Sequence, residues 1–365
     1  MKVALVHDYL NQYGVAERVL EIFHKLFPEA PVYTLIYDRG HIPDHFKEWN
    51  IKESFLRKLP FVRRHYEKYF FLMPLAIESF DLNSFDLVIS ISSAWSKGVI
   101  TLPSTTHINY MLNPMRFAWD SYHSLVKARK GLTKILLALG LHSIRLWDEN
   151  TSRRPDTIIA ISKTVGKRIE KFYGIKPMII YPPVDTDFFT PNERIKKEDF
   201  FLIVSRLRPY KRIDIAINAF NEMKLPLLII GEGSMKGKLT RTANRNIQFL
   251  GKRSDEEVRS FYRRAKALIF PTFEDFGIVP LEASACGTPV IAFNGGGASE
   301  TVEEGTNGLF FYPQTPEALM DTVLNFSSED FNIQNVREIS VKFSKKQFIE
   351  NFRRVIEEIT KNKKI

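Results

Sequence analysis

The strongest constraint on the fold is a local order that opens the chain and begins again past its middle: a short apolar run, a turn, then a stretch with helical spacing. Residues 2–7 hold an apolar run rich in Val and Leu, flanked by Lys2 and His7, the pattern of a parallel strand buried on both faces. A turn follows at 11–14, and residues 16–27 set Val19, Leu20, Ile22, Phe23, Leu26 and Phe27 at helical spacing. Such a unit opens a doubly wound α/β domain, with the turn at the ligand-binding edge of the sheet. Runs at 32–37, 87–92, 107–111 and 157–161 read as further buried strands. Pro182-Pro183-Val184-Asp185 and the polar run 190–199 mark a boundary, rigid and then charged. Beyond it the order restarts, with strands at 200–204, 227–231, 247–250, 267–270, 289–293 and 308–311. Helices fall at 213–223 and 255–264, the second capped by Ser254 with Glu257 three residues on; others begin near 279, 298 and 316. The expected architecture is α/β: two Rossmann-like doubly wound domains, 1–185 and 186–345, facing a cleft. A charged C-terminal helix in 346–365 is expected to pack back towards the first domain.

Composition narrows the function classes. A chain of 365 residues exceeds one ordinary core and suits two domains. The single cysteine, Cys286, cannot form an internal disulfide, and it reads as a small buried residue at a helix end. The N-terminal apolar run is too short for a signal peptide, and no stretch reaches the ~18 apolar residues of a membrane span. A cytoplasmic location follows as the expectation, with peripheral attachment to the cytoplasmic face of a membrane as its variant. The net charge of +10 and pI near 9.4 point to an anionic partner: nucleic acid, acidic lipid or a phosphorylated substrate. Nucleic acid is set aside, because the aromatic–basic motifs of RNA-binding modules are missing. The basic bias lies mainly in the first half, in 52–80 and 126–147. Each segment reads either as an amphipathic helix on an anionic bilayer surface or as a core-packing helix with a solvated basic face.

Three motifs in the second half carry chemistry. Glu274 and Glu282 bracket a loop, a tight turn and a helix start. Pro280 is tolerated only in a first helical turn, so the amides of Gly277, Ile278 and Val279 lack intrahelical acceptors and favour an anionic or oxygen-rich ligand. An acidic loop with a helix cap is the plain alternative. Arg206 and Lys211 follow the strand at 200–204, where strand ends face the ligand crevice. Two cations there suit a leaving diphosphate, the alternative being a solvated basic turn; Arg208 and Arg212 read as solvent-facing. Asn294-Gly295-Gly296-Gly297 precedes a helix and lets a ligand approach the backbone. It is no Walker loop, since no Lys-Ser/Thr follows, and Gly231-Glu232-Gly233 lacks the third glycine of the dinucleotide fingerprint.

Together these pieces resemble the donor-binding domain of the retaining glycosyltransferases of family 4, which have the two-domain GT-B architecture. The resemblance runs through Ser205-Arg206-Leu207 with Lys211, Ile230-Gly231-Glu232-Gly233, Phe249-Leu250-Gly251, the E-x7-E element Glu274 to Glu282, Ala-Ser-Ala-Cys-Gly-Thr-Pro-Val at 283–290 and the glycine loop. The first half is similar to a mannosyltransferase-like subgroup of polysaccharide and O-antigen assembly, through His7-Asp8-Tyr9, Gly14-Val15-Ala16-Glu17-Arg18, Pro114-Met115-Arg116-Phe117-Ala118-Trp119-Asp120 and Ile161-Ser162-Lys163. The resemblance implies that Glu274 holds the donor sugar and that Arg206 and Lys211 bind the diphosphate. It implies contacts to sugar and phosphate from the amides of Phe276, Gly277, Ile278 and Val279 and from the Gly14 turn. Glu282 is implied at the ribose, and Gly251, Lys252 and Arg253 near the base. It implies transfer of a hexosyl group, mannose from GDP-mannose first, to a lipid-linked or growing glycan. The nucleotide-sugar is a co-substrate, and neither metal nor other cofactor is expected. A UDP-sugar donor and a non-catalytic nucleotide-sugar-binding scaffold are the alternatives. Two positions depart from the pattern: Val15 replaces a second glycine, and Leu112-Asn113-Pro114 stands where the subgroup has His-Thr-Pro.

Overall fold

The computed structural model describes residues 1–362; positions 363–365 of the expected C-terminal helical segment lie outside the described residues. Contacts divide the chain into two units, Met1–Tyr181 with the chain from Ile349 onward, and Pro182–Phe348.

The first unit is built on seven parallel strands: β1 (Val3–Leu10), β2 (Val32–Tyr37), β3 (Ile51–Glu53), β4 (Leu87–Ser92), β5 (Thr106–Met111), β6 (Thr157–Ala160) and β7 (Met178–Ile179). Their order is β3-β2-β1-β4-β5-β6-β7. β1 lies in the middle and its side chains are almost all buried, as a strand covered by helices on both faces requires. The two shortest strands, β3 and β7, carry too few residues for any periodicity to mark them.

The second unit has β8 (Phe201–Val204), β9 (Leu227–Ile230), β10 (Ile247–Gly251), β11 (Leu268–Phe270), β12 (Val290–Phe293) and β13 (Gly308–Phe311), in the order β10-β9-β8-β11-β12-β13. This repeats the order of the first six strands of the first unit, without a counterpart of β7. In each sheet the order reverses beside the first strand, between β1 and β4 and between β8 and β11, and such switch points are where open α/β sheets bind ligands. The core of the second unit is Phe201, Ile203, Ile217, Phe220, Ile229 and Ile291 with their neighbours. Ser254 and Glu257 form the expected capping box. Cys286 is buried, and burial pushes its thiol up to about 12.

The segment 52–80 corrects one of its two expectations. It is no single amphipathic helix but a chain of short turns: Phe55–Lys58, Val62–His65, Tyr66–Leu72 and Met73–Glu78. Pro60 removes an amide, Phe61 takes a left-handed φ of 53°, and Leu56, Val62, Met73 and Ile77 are drawn into the core beside β1 and β2. The segment 126–147 is likewise divided, ending one helix at Tyr122–Lys127 and starting another at Gly131–Thr151. Among the described residues no helix is long and apolar enough to cross a membrane.

The switch point of the first sheet is filled by the chain itself. Asp8, buried near the end of β1, accepts hydrogen bonds from the amides of Ser93 (2.8 Å), Ala94 (2.8 Å), Trp95 (3.0 Å) and Ser96 (2.7 Å). One carboxylate thereby ties the loop after β4 to β1. Hydrogen bonds to a charged group contribute about 1.5–3 kcal/mol each, and orphaning buried donors adds to the loss. Asp8→Ala is therefore expected to lower unfolding free energy by about 3–5 kcal/mol, read from urea denaturation with a tyrosine or tryptophan signal of the first unit.

Candidate active site

At the switch point of the second sheet, the loops after β8 and β11 bring the predicted cations and carboxylate together. The chain leaves β8 through Ser205 and Arg206 into the short 3-10 turn Pro209–Lys211. Leaving β11, it passes through Pro271 and Thr272 to Glu274. The Thr272 hydroxyl donates to the Lys211 carbonyl at 2.9 Å, and the Gln314 amide donates to the Pro271 carbonyl at 2.8 Å. The first bond pins the two loops to each other, and the second ties the loop after β11 to the segment that follows Phe311.

Lys211 Nζ is in contact with the Glu274 carboxylate, and both side chains are mostly buried, 12% and 18% exposed. Burial first, and the Arg206 guanidinium second, push the Lys211 ammonium down to about 8, while Asp275 pulls it up. Lys211 is thus an ammonium at neutral pH, and the Glu274 carboxylate beside it favours the same state. Arg206 is exposed. Arg208 is exposed as well, whereas Arg212 is engaged with Asp214 at 3.3 Å.

The helix Ile278–Ala285 starts directly after this pair, with Gly277 as its N-cap at φ +90°. Pro280 sits in the first turn, where its missing amide proton costs no helical bond. Phe276 and Gly277 are buried, while Ile278 and Val279 are half-buried. Glu282 faces inward: it is 6% exposed, and the hydroxyl of buried Tyr262 donates to its Oε2 at 3.1 Å.

The glycine loop has a different task from the one its composition suggests. A Cβ on Gly296 would fall on the Glu274 carbonyl, and one on Gly297 on the Phe276 carbonyl. Gly297 N donates to the Glu274 carbonyl at 2.7 Å, and Glu274 and Gly296 form a parallel bridge. The space the glycines leave at these two positions is taken by the Glu274 loop itself. Gly231 and Gly233 are in the same situation against the carbonyls of Ser205 and Leu207. Gly251 ends β10 at φ +73°, and its carbonyl accepts from Gly231 N at 2.8 Å. Lys252 and Arg253 follow it as exposed residues, Arg253 lying 3.5 Å from Glu257.

In the first unit Gly14 is the N-cap of the helix Val15–Leu26, and its backbone is extended. Val15 is already helical, so the missing second glycine leaves no strained position. The Gly14 amide donates to Glu17 Oε2 at 2.7 Å, and the other oxygen of this buried carboxylate accepts from His7 Nε2 at 3.2 Å. His107 lies within β5, fully buried, sharing a hydrogen bond with Ser90 Oγ at 2.8 Å. It does not take the place of the histidine absent at Leu112. Thr272, Gln314 and Tyr262 escaped the sequence reading because each acts through a partner fixed by tertiary structure. Glu17, read there only as part of the Gly14 to Arg18 motif, carried a local signal for its bond to Gly14, three residues after the N-cap in capping-box position.

Comparison with solved structures identifies the architecture. Sucrose-phosphate synthase of Thermosynechococcus elongatus superposes with a TM-score of 0.78 over 99% of this chain and 100% of that one, at 16% identity. HepE of Anabaena, solved with UDP-glucose, gives 0.70 over 98% and 100%, also at 16% identity. The fold is the GT-B fold. Residues 185–347 match the family described as glycosyl transferases group 1, so the match covers the GT-B unit that holds Lys211 and Glu274. An uncharacterized glycosyltransferase of Methanocaldococcus jannaschii is 32% identical over 225 residues, 59% of this chain and 63% of that protein. A D-inositol 3-phosphate glycosyltransferase of Mycolicibacterium smegmatis is 35% identical over 182 residues, 44% of this chain and 40% of its own length. The chain thus spans less than two thirds of the length of these curated relatives.

The backbone contact at the glycine loop makes a direct prediction. Gly297→Ala forces a methyl onto a main-chain carbonyl that cannot rotate away, and overpacking of this kind costs about 1–3 kcal/mol. Thermal melts are expected to show a lower midpoint.

Proposed function

We propose that the protein is a retaining glycosyltransferase that moves a hexosyl group from a nucleotide-sugar to a lipid-linked or growing glycan. The observation that carries this reading is the Lys211–Glu274 pair with Arg206 at the switch point of the second sheet, inside the segment matching the glycosyl transferases group 1 model. Lys211 and Arg206 bind the diphosphate and stabilise the negative charge that it gains on leaving. The amides at the start of the helix Ile278–Ala285 add positive dipole ends on sugar and phosphate. Glu274, released from Lys211 by the arriving phosphate, accepts hydrogen bonds from the sugar hydroxyls and orients the anomeric carbon. Glu282, oriented by Tyr262, meets the ribose, and the base lies near Gly251, Lys252 and Arg253. The bond from the anomeric carbon to the diphosphate oxygen breaks, and the acceptor oxygen bonds to that carbon on the same face. The acceptor proton passes to the departing phosphate oxygen, so configuration is retained. No step calls on a metal, because the two cations and the helix terminus balance the leaving charge.

Mannose from GDP-mannose is the first donor to test, on the strength of the first-half resemblance to mannosyltransferase-like proteins. A UDP-sugar is the second, favoured by the likeness to the Anabaena protein solved with UDP-glucose. A donor panel scored for nucleotide release with a lipid-linked acceptor decides between them; release from neither family of donors, with binding intact, would leave a nucleotide-sugar-binding scaffold.

Two measurements test the mechanism. Glu274→Ala is expected to lower kcat/KM by about 100-fold or more, and turnover at the wild-type rate would refute the assignment. Because only the ammonium form of Lys211 attracts the diphosphate, kcat/KM for the donor is expected to fall as pH rises through about 8. Lys211→Arg, whose guanidinium keeps its proton far above that range, is expected to move this decline to higher pH.

A further inference from the structure

The helix Gly131–Thr151 stands out of the first unit with its opening half exposed on nearly every side. Leu132, Ile135, Leu136 and Leu139 follow one another at i, i+3, i+4 and i+7, which sets them on one face. They are 69%, 58%, 56% and 60% exposed. An aliphatic stripe left in water is unfavourable and marks a surface that something covers. The stripe continues beyond its own helix. A Cβ on Gly140 would fall on the ring of Phe71, so that ring packs against the helix one turn past Leu136. Phe71 is itself 55% exposed, and Leu75, which follows it, is 59% exposed.

Charge decides what the surface faces. From Ser121 to Trp147 the chain has five Lys or Arg and not one Asp or Glu. Lys127, Arg129, Lys130 and Lys134 are exposed around the N-terminal end of the helix. The turns that lead to Phe71 add exposed Arg57, Lys58, Arg63, Arg64 and Lys68; Glu53, 3.8 Å from Arg63, and exposed Glu67 are the acidic residues beside them. A second copy seated on this face would set one basic rim against another, a like-charge juxtaposition that costs binding energy. An anionic bilayer satisfies both features at once: headgroup phosphates meet the lysines and arginines, and the aliphatic stripe reaches the acyl boundary.

We propose that this surface docks the first unit onto an anionic phospholipid membrane, with Leu132, Ile135, Leu136 and Leu139 inserted and the basic residues at headgroup level. Attachment is by a projecting helix half and an adjoining aromatic turn. It does not depend on the donor chemistry of the second unit.

Flotation of the full chain with vesicles tests the proposal. The protein is expected to rise with phosphatidylcholine–phosphatidylglycerol vesicles and to stay behind with phosphatidylcholine alone. The exposed double variant Ile135→Asp/Leu136→Asp is expected to lose at least about tenfold of the bound fraction, with an unchanged melting midpoint and unchanged donor turnover on a soluble acceptor. Lys130→Glu/Lys134→Glu is expected to lose a similar share, and salt to weaken the wild type. Wild-type protein absent from both lipid fractions would overturn the proposal, as would flotation of the aspartate variant at the wild-type level. A wild-type dimer that stays off lipid and turns monomeric in the aspartate variant would also overturn it, by making the face a contact between copies. Turnover measured alongside keeps failure of docking separate from failure of the enzymatic reading.

Discussion

Backbone packed directly on backbone is the constraint on which the second unit rests. Gly296 and Gly297 bring the loop after β12 against the carbonyls of Glu274 and Phe276. One hydrogen bond, Gly297 N to Glu274 O at 2.7 Å, closes the joint. With no side chain between them, these loops have a single separation and almost no freedom to slide. Gly231 and Gly233 do the same for the loop that carries Arg206 and Lys211. The side chains at the switch point are thus set by main-chain geometry two strands wide, which is stiffer than any rotamer preference.

The two units share a strand order but invert the electrostatics at its centre. In the first, the switch point closes around Asp8, whose charge is spent on four successive backbone amides, and Glu17 occupies the Gly14 amide beside it. In the second, the equivalent place holds Arg206, Lys211 and the start of a helix. In the first unit the amides of Gly14 and of Ser93 to Ser96 are thus already satisfied by the protein's own carboxylates, whereas the second sets cations at the equivalent place.

Much of this was legible in the sequence, and the remainder has identifiable reasons. Strands such as β1, β4, β8 and β12 announce themselves because burial on both faces demands unbroken apolar runs. The position of Lys211 and Glu274 followed from strand ends, which is a topological argument and needs no side-chain detail. The role of the glycine loop could not be read this way. A glycine that admits a ligand and one that admits a neighbouring loop look identical in one dimension. The 52–80 segment misled because its basic and aromatic content imitates a surface helix, whereas Pro60 and the inward pull of Leu56, Val62 and Met73 break it into turns. Thr272, Gln314 and Tyr262 lie 61, 43 and 20 residues from the groups they hold, beyond the reach of any local pattern.

The contact between Lys211 and Glu274 means that the unit carries its own counterion. A chloride ion arriving at this place must displace a carboxylate that already offers equal charge at no cost in translational entropy, so it gains little by entering. A diphosphate brings several oxygens and more than one negative charge on a single molecule, and it can engage Arg206 and the helix amides in the same event. Under the proposed donor-binding role, the internal pair sets a threshold: a weak, monovalent anion meets an occupant already in place, and a polyvalent one can displace it.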